Sequence, residues 1–179
     1  MRSRDRTHLD ATAYHEAGHA IARWWLGLRF KEASIVPNSA EGTLGYVLGK
    51  GLPKWFNPDT HDDNPRVRLR AEKEIISLFA GRIAEQKFRG RRPNRNTHYS
   101  DTHSAVDLAT YFHGGETLEA FLKYLFLRSR GLVDVRWHEI GWVAEELLQQ
   151  HRLTYKAMVD VIKRRFSEAH PLPTARVLE

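Results

Sequence analysis

Ala13-Tyr14-His15-Glu16-Ala17-Gly18-His19-Ala20-Ile21 carries two histidines four residues apart, with a glutamate directly after the first. On a helix, side chains four apart share one face a turn apart, so both imidazoles can reach a single ion. Glu16 then projects beside that ion, where it can take a proton from water. Neutral imidazole suits Zn²⁺, which polarises a carbonyl and acidifies its water. The five-residue pattern has a plainer reading, two surface histidines with a salt-bridging glutamate. Two features favour the metal. The stretch lies in an apolar helix followed by Trp24 and Trp25, expected in the core, where an unligated His-Glu-His set is costly. The rest of the chain also supplies third ligands. Gly18 is expected to let a neighbouring backbone come close, at a helix cost of up to about 1 kcal/mol relative to alanine.

Outward from this stretch, the helix is expected over residues 11–26, with Asp10 as its N-cap and Gly27 as a left-handed C-terminal residue. Residues 33–37 and 45–48 are short β-prone runs around a Gly/Ser/Asn-containing segment, and read as a small hairpin or an edge strand with a loose loop. Residues 49–64 read as loop. Asn64-Pro65 offers an N-cap with proline at the first helical position, and Val67, Ile75, Ile76, Leu78, Phe79, Ile83 and Phe88 support a long helix to Gly90. Further helices are expected from Ser100 to about His113, from Glu116 to Arg130 with Gly131 as the stop, over 134–150, and from a Thr154 cap to Ser167. The expectation is one mainly α domain over residues 1–179, its core at about 10–115 and C-terminal helices at about 116–168. No alternation of strands and helices points to a parallel sheet.

A third metal ligand has several candidates. A pattern with Gly and His three and six residues after His19 is absent, since Ala22 and Trp25 stand there. Glu85, on the following long helix, would act as in a thermolysin-like arrangement. The segment His98-Tyr99-Ser100-Asp101-Thr102-His103 holds others. Asp101 ranks first on physical grounds, because the first turn of a helix favours an ionised carboxylate, with His98 and Glu85 next.

The 179 residues contain no cysteine, which excludes disulfides, thiolate ligands and a cysteine nucleophile. Met1–Arg6 is polar, and no apolar run approaches the roughly 20 residues that span a bilayer, so a soluble cytoplasmic protein without a membrane segment is expected. The net charge of +6 is carried mostly by arginine, and its densest stretch, Arg89-Gly90-Arg91-Arg92-Pro93-Asn94-Arg95, reads as a solvated basic loop. No nucleic-acid motif accompanies it, and nucleic acid is not the expected partner.

Taken in order, these pieces resemble the peptidase domain of the FtsH family of ATP-dependent zinc metalloproteases. Residues 13–21 look like its active-site helix. Ser34-Ile35-Val36-Pro37 with Leu44-Gly45-Tyr46-Val47 is similar to its strand segment, and Ile76-Ser77-Leu78-Phe79-Ala80-Gly81-Arg82-Ile83-Ala84-Glu85 to its second helix. Ser100-Asp101 with Ala105, Leu108 and Ala109 looks like the helix bearing its third ligand. The resemblance spans about residues 10–162 and is strongest before 50 and over 71–112. It implies a mainly helical fold with a small hairpin or edge strand beside the active-site helix. It also implies Zn²⁺ held by His15, His19 and Asp101, with Glu16 as catalytic base. Glu85 becomes a residue that orients a ligand, and Ile35, Val36, Tyr46 and Val47 become candidates for pairing with extended substrate.

The chain also departs from that family. Full members carry membrane segments and an ATPase module, and Gly49-Lys50 is not a phosphate loop, because Leu44 replaces the first glycine and Gly51 follows the lysine. His98, in an approach to Asp101 that differs from the family's, remains a rival ligand or proton donor. The Trp55-Phe56-Asn57-Pro58 loop has no recognised counterpart and is expected to narrow the cleft. The function expected is a zinc metalloendopeptidase without its own ATPase, acting on peptides or unfolded proteins. A separate ATPase and self-association are its candidate partners. The alternative is a catalytically silent zinc-binding interaction or regulatory module. Retention of Glu16 favours the enzyme, since a site that only binds metal needs no base.

Overall fold

The computed structural model describes residues 6–37, 44–60, 63–90 and 99–169. Among them are six helices, α1 (Arg6–Trp25), α2 (Pro65–Arg89), α3 (Tyr99–Thr110), α4 (Gly115–Val135), α5 (Trp137–Gln150) and α6 (Tyr155–Ala169). Three short strands complete the fold, β1 (Phe30–Ser34), β2 (Tyr46–Gly49) and β3 (Arg152–Thr154). The chain is therefore mainly helical with a small antiparallel sheet, as the sequence predicts.

Local chemistry sets the ends of the two helices that matter most. After α1, Gly27 adopts φ +73°. The Leu28 N–H reaches back to the Arg23 carbonyl at 2.7 Å and the Gly27 N–H to Trp24 at 3.1 Å, the paired bonds of a Schellman stop. Asn64 caps α2 by accepting the Arg66 N–H at 2.9 Å, Pro65 occupies the first position, and Gly90 ends the helix at φ +63°. The start of α1 differs from expectation. The helix already includes Arg6, so Asp10 is an interior residue and not its cap.

Sheet order is β2-β1-β3, with β1 antiparallel to both neighbours. A bulge between Phe30 and Glu32 shifts the β1–β2 register. β3 was not expected. It forms where α5 stops at His151, in left-handed conformation at φ 64°, and its pairing turns β1 into the central strand. Ile35 and Val36, candidates for pairing with substrate, follow this strand directly. The Ile35 N–H donates to the His151 carbonyl at 3.0 Å, and its side chain is buried. The Val36 N–H donates to Ser34 Oγ at 3.1 Å. Tyr46 and Val47 do lie on an outer strand, β2. The helix expected to stop at Gly131 runs on to Val135, and Val133, beyond that glycine, is fully buried.

One apolar core joins all the helices and the sheet. It includes Ile21 from α1, Phe30 and Ala33 from β1, Ile75 and Ile76 from α2, and Ala105 from α3. Leu125 and Val133 from α4, Ile140 and Leu147 from α5, and Met158 and Ile162 from α6 belong to the same cluster. The C-terminal helices thus share the core of the N-terminal part. A small satellite of Phe56, Val67 and Ala71, with Leu108 and Phe112 against it, ties the loop after β2 to α2 and α3. Arg66 stacks 3.9 Å over Trp55 beside it. Trp25, expected inside, is 52% exposed and lies under the Arg136 guanidinium at 3.5 Å.

Candidate metal centre

α1 and α2 cross on small residues. Ala13, Ala17 and Ala20 on α1 and Ala80 and Ala84 on α2 are all fully buried. A methyl group at Gly18 would stand 2.7 Å from both the Ala80 carbonyl oxygen and Ala84 Cβ. The approach that Gly18 was expected to permit is thus made by the backbone of α2. That closeness sets the ligand geometry. His19 Nδ1–H donates to the Ser77 carbonyl on α2 at 2.7 Å, which leaves Nε2 as the ring's lone-pair nitrogen. His15 Nδ1 faces Glu85 Oε2, also on α2, at 3.3 Å, and the same tautomer aims its Nε2 the same way.

The two Nε2 atoms come within 2.9 Å of each other, and Asp101 Oδ2 from the first turn of α3 stands 3.2 Å from each. With both Nδ1 atoms protonated, all three are acceptors, so the cluster is repulsive without a positive charge between them. His15, His19 and Asp101 form a group that could hold a metal ion. Donors about 2.0–2.1 Å from one zinc at tetrahedral angles lie roughly 3.3 Å apart, close to the separations found. Two imidazole nitrogens and one carboxylate oxygen are also a set that Zn²⁺ accepts, with a coordination position left for substrate or water.

The electrostatics express the same need for charge. Burial opposes protonation of His15, but hydrogen bonds to Asp101 and Glu85 and the charge of Glu16 outweigh it, pushing its pKa up to about 10. Burial would raise the Asp101 pKa, yet the charge of His19 and hydrogen bonds to both histidines bring it well below the usual carboxylate range. Glu16 moves the other way. Burial raises its pKa, and the opposing pull of His15 and His19 does not cancel that rise.

Glu16 is 4% exposed and touches the start of β2, where an added Cβ on Gly45 would meet Glu16 Oε1 at 2.7 Å and the Ser34 carbonyl at 2.8 Å. Farther along β2, a Cβ on Gly49 would lie 3.6 Å from Arg23 Nη2. The strand therefore runs beside α1 from Glu16 towards Arg23, with Tyr46 and Val47 following Gly45 along it. Tyr46 is held by donating its hydroxyl to Glu32 at 2.7 Å.

Of the residues expected at the site, His15, Glu16, His19, Glu85 and Asp101 converge. Glu85 contacts a histidine instead of occupying a ligand position. His98 and residues 91–95 of the basic loop lie outside the described residues. Sequence reasoning passed over the Ser77 carbonyl, Gly81, Gly45 and Arg89. A Cβ at Gly81 would collide with Nε2 and both ring carbons beside it in His19, so this glycine makes the room for the ring. Glycines inside a helix or at a strand end are the one signal that marks such close approaches in advance. Compared with known protein families and curated proteins, the chain matches no family model and no curated sequence. No helix among the described residues is long and apolar enough to cross a membrane.

Proposed function

We propose that this protein is a zinc metallopeptidase of the FtsH-peptidase type, hydrolysing peptide bonds in peptides or unfolded proteins. The observation that carries the reading is the convergence of His15 Nε2, His19 Nε2 and Asp101 Oδ2 beside a buried Glu16. When bound, zinc supplies Lewis acidity towards the substrate carbonyl and towards water. The chain's own residues do the rest. His15, His19 and Asp101 hold the ion, and Glu85 and the Ser77 carbonyl orient the two rings. The Glu16 carboxylate takes a proton from the attacking water and delivers it to the leaving amine nitrogen. Burial, by raising its pKa, makes Glu16 a stronger base than an exposed carboxylate. The outer edge of β2 at Tyr46 and Val47 offers backbone groups to an extended chain, flanked by exposed Leu44, Leu48 and Leu52.

These 179 residues carry no phosphate-binding loop, and unfolding of folded substrates would fall to an ATPase outside them. The test measures zinc content and casein cleavage without ATP for the wild type and Glu16→Gln. Stoichiometric zinc in both is expected, with cleavage reduced about 10²- to 10⁴-fold in the variant. Absence of zinc from both proteins would sink the reading. Zinc without cleavage in the wild type would replace it with the silent metal-binding module.

A further inference from the structure

The last turn of α2 is fastened to its surroundings by three consecutive residues. Lys87 Nζ pairs with Asp134 Oδ1 at 2.5 Å and lies 4.9 Å over the Trp137 ring. The Phe88 ring stacks on Tyr14 with centroids 4.2 Å apart, directly beside His15 in sequence. Arg89 turns back along its own helix, and its Nε–H donates to Glu85 Oε1 at 2.7 Å. The other oxygen of that carboxylate faces His15 Nδ1 at 3.3 Å. Glu85 is 5% exposed, and the Arg89 side chain is 14% exposed.

We propose that Arg89 is a positioning residue for the metal site, acting through Glu85 to hold the ring of His15 with Nε2 towards the ion. A buried carboxylate with one partner can rotate about its terminal bond. Held by Arg89 at Oε1, it presents Oε2 to the histidine. An imidazole whose second nitrogen donates to a carboxylate is fixed in tautomer and direction, and loss of such an outer partner weakens metal binding about 10- to 100-fold. Arg89 sits one step farther out, with a charge-assisted bond short enough to set the carboxylate. Nothing in the local pattern requires arginine there. A lysine at the same i, i+4 spacing would keep the charge, and an apolar residue would keep only the packing of the stem.

This inference rests on the zinc reading, and the experiment separates the two. Zinc affinity is measured by competition with a chelating dye, and the visible spectrum is recorded with Co²⁺ in place of zinc. The set is the wild type, Arg89→Met, Arg89→Lys, Glu85→Ala and the double variant Glu85→Ala/Arg89→Met. Arg89→Met is expected to bind zinc about tenfold more weakly with a shifted Co²⁺ spectrum, and Arg89→Lys to recover most of both. In the Glu85→Ala background, Arg89→Met is expected to cost nothing more, because its effect passes through Glu85. Should Arg89→Met fail to fold, as read by thermal unfolding of the metal-free protein, Arg89→Gln carries the same test with a smaller loss. Tight zinc binding by the wild type with unchanged affinity and spectrum in Arg89→Met overturns the role of Arg89 alone. An equal loss with and without Glu85 overturns it too. No zinc uptake by the wild type overturns the metal reading and this inference with it.

Discussion

The α1–α2 crossing and the core-facing sides of α5 and α6 are both buried, and are built from opposite materials. The first uses Ala13, Ala17, Gly18, Ala80, Gly81 and Ala84, and the second Ile140, Val143, Leu147, Met158, Val161 and Ile162. Large side chains hold α5 and α6 to the core by removing apolar area from water, roughly 1.5–3 kcal/mol for each full burial. The small residues of the α1–α2 crossing bury far less carbon. They bring two backbones close enough for His19 to reach the Ser77 carbonyl and for Glu85 to reach His15. One contact supplies stability and the other supplies geometry, so substitutions in the two should fail in different ways.

Leu147→Ala is expected to have the largest effect on stability, a loss of about 2–5 kcal/mol in denaturant unfolding. Zinc affinity of the folded fraction should stay unchanged, and a parallel loss of affinity would blur the division between the two contacts. Gly81→Ala is the reverse case. Overpacking is expected to cost about 1–3 kcal/mol, because the new methyl group lies inside the His19 ring envelope. The telling readout is zinc, which should be lost or greatly weakened. A Gly81→Ala protein that keeps wild-type zinc affinity would show that the crossing is merely tight.

pH sharpens the comparison, because the charge demand is confined to the crossing. The folded pKa of His15 lies at about 10 against an ordinary value of 6.5. The stabilisation it brings to the metal-free protein is therefore fully present below pH 6.5 and is lost as pH rises through about 10. Asp101, lowered on folding, contributes stability above its ordinary value of 3.8 that is lost as pH falls below it. Glu16, raised on folding, works against stability as pH rises above its ordinary value of 4.5, and replacing His15 by Gln should flatten the alkaline decline. Zinc must displace the His15 proton, so its apparent affinity should rise about tenfold per pH unit, or about 1.4 kcal/mol, up to about pH 10. Proton release measured on zinc addition in weak buffer checks the sign.

Gly131→Ala is expected to do least. This glycine lies inside α4 with nothing within 4 Å of where an added methyl group would stand and no positive φ, so alanine should add up to about 1 kcal/mol of stability without altering zinc binding.

Much of this was legible in residues 1–179 because its causes are local. Asn64, Pro65 and Gly90 bound α2 through capping chemistry that needs no distant partner, and Gly27 stops α1 in the same way. The spacing of His15 and His19 makes them neighbours on any helix. Other features depend on contacts far along the chain. β3 is three residues long and exists through its pairing with Glu32, Ala33 and Ser34, which makes β1 the central strand of the sheet. Gly131 carries the mark of a helix end, yet burial of Val133 draws α4 past it.

The candidate site divides along the same line. Helical periodicity alone brings His15, Glu16 and His19 to one place, because about 3.6 residues per turn is a property of the backbone. For the remaining ligand position the sequence ranked Asp101 above His98 and Glu85 by its place in the first turn of a helix, but nothing local measures distance in space. Only the tertiary structure brings Asp101 Oδ2 to both Nε2 atoms and turns Glu85 towards Nδ1 of His15, because those distances are set by how closely α1, α2 and α3 pack.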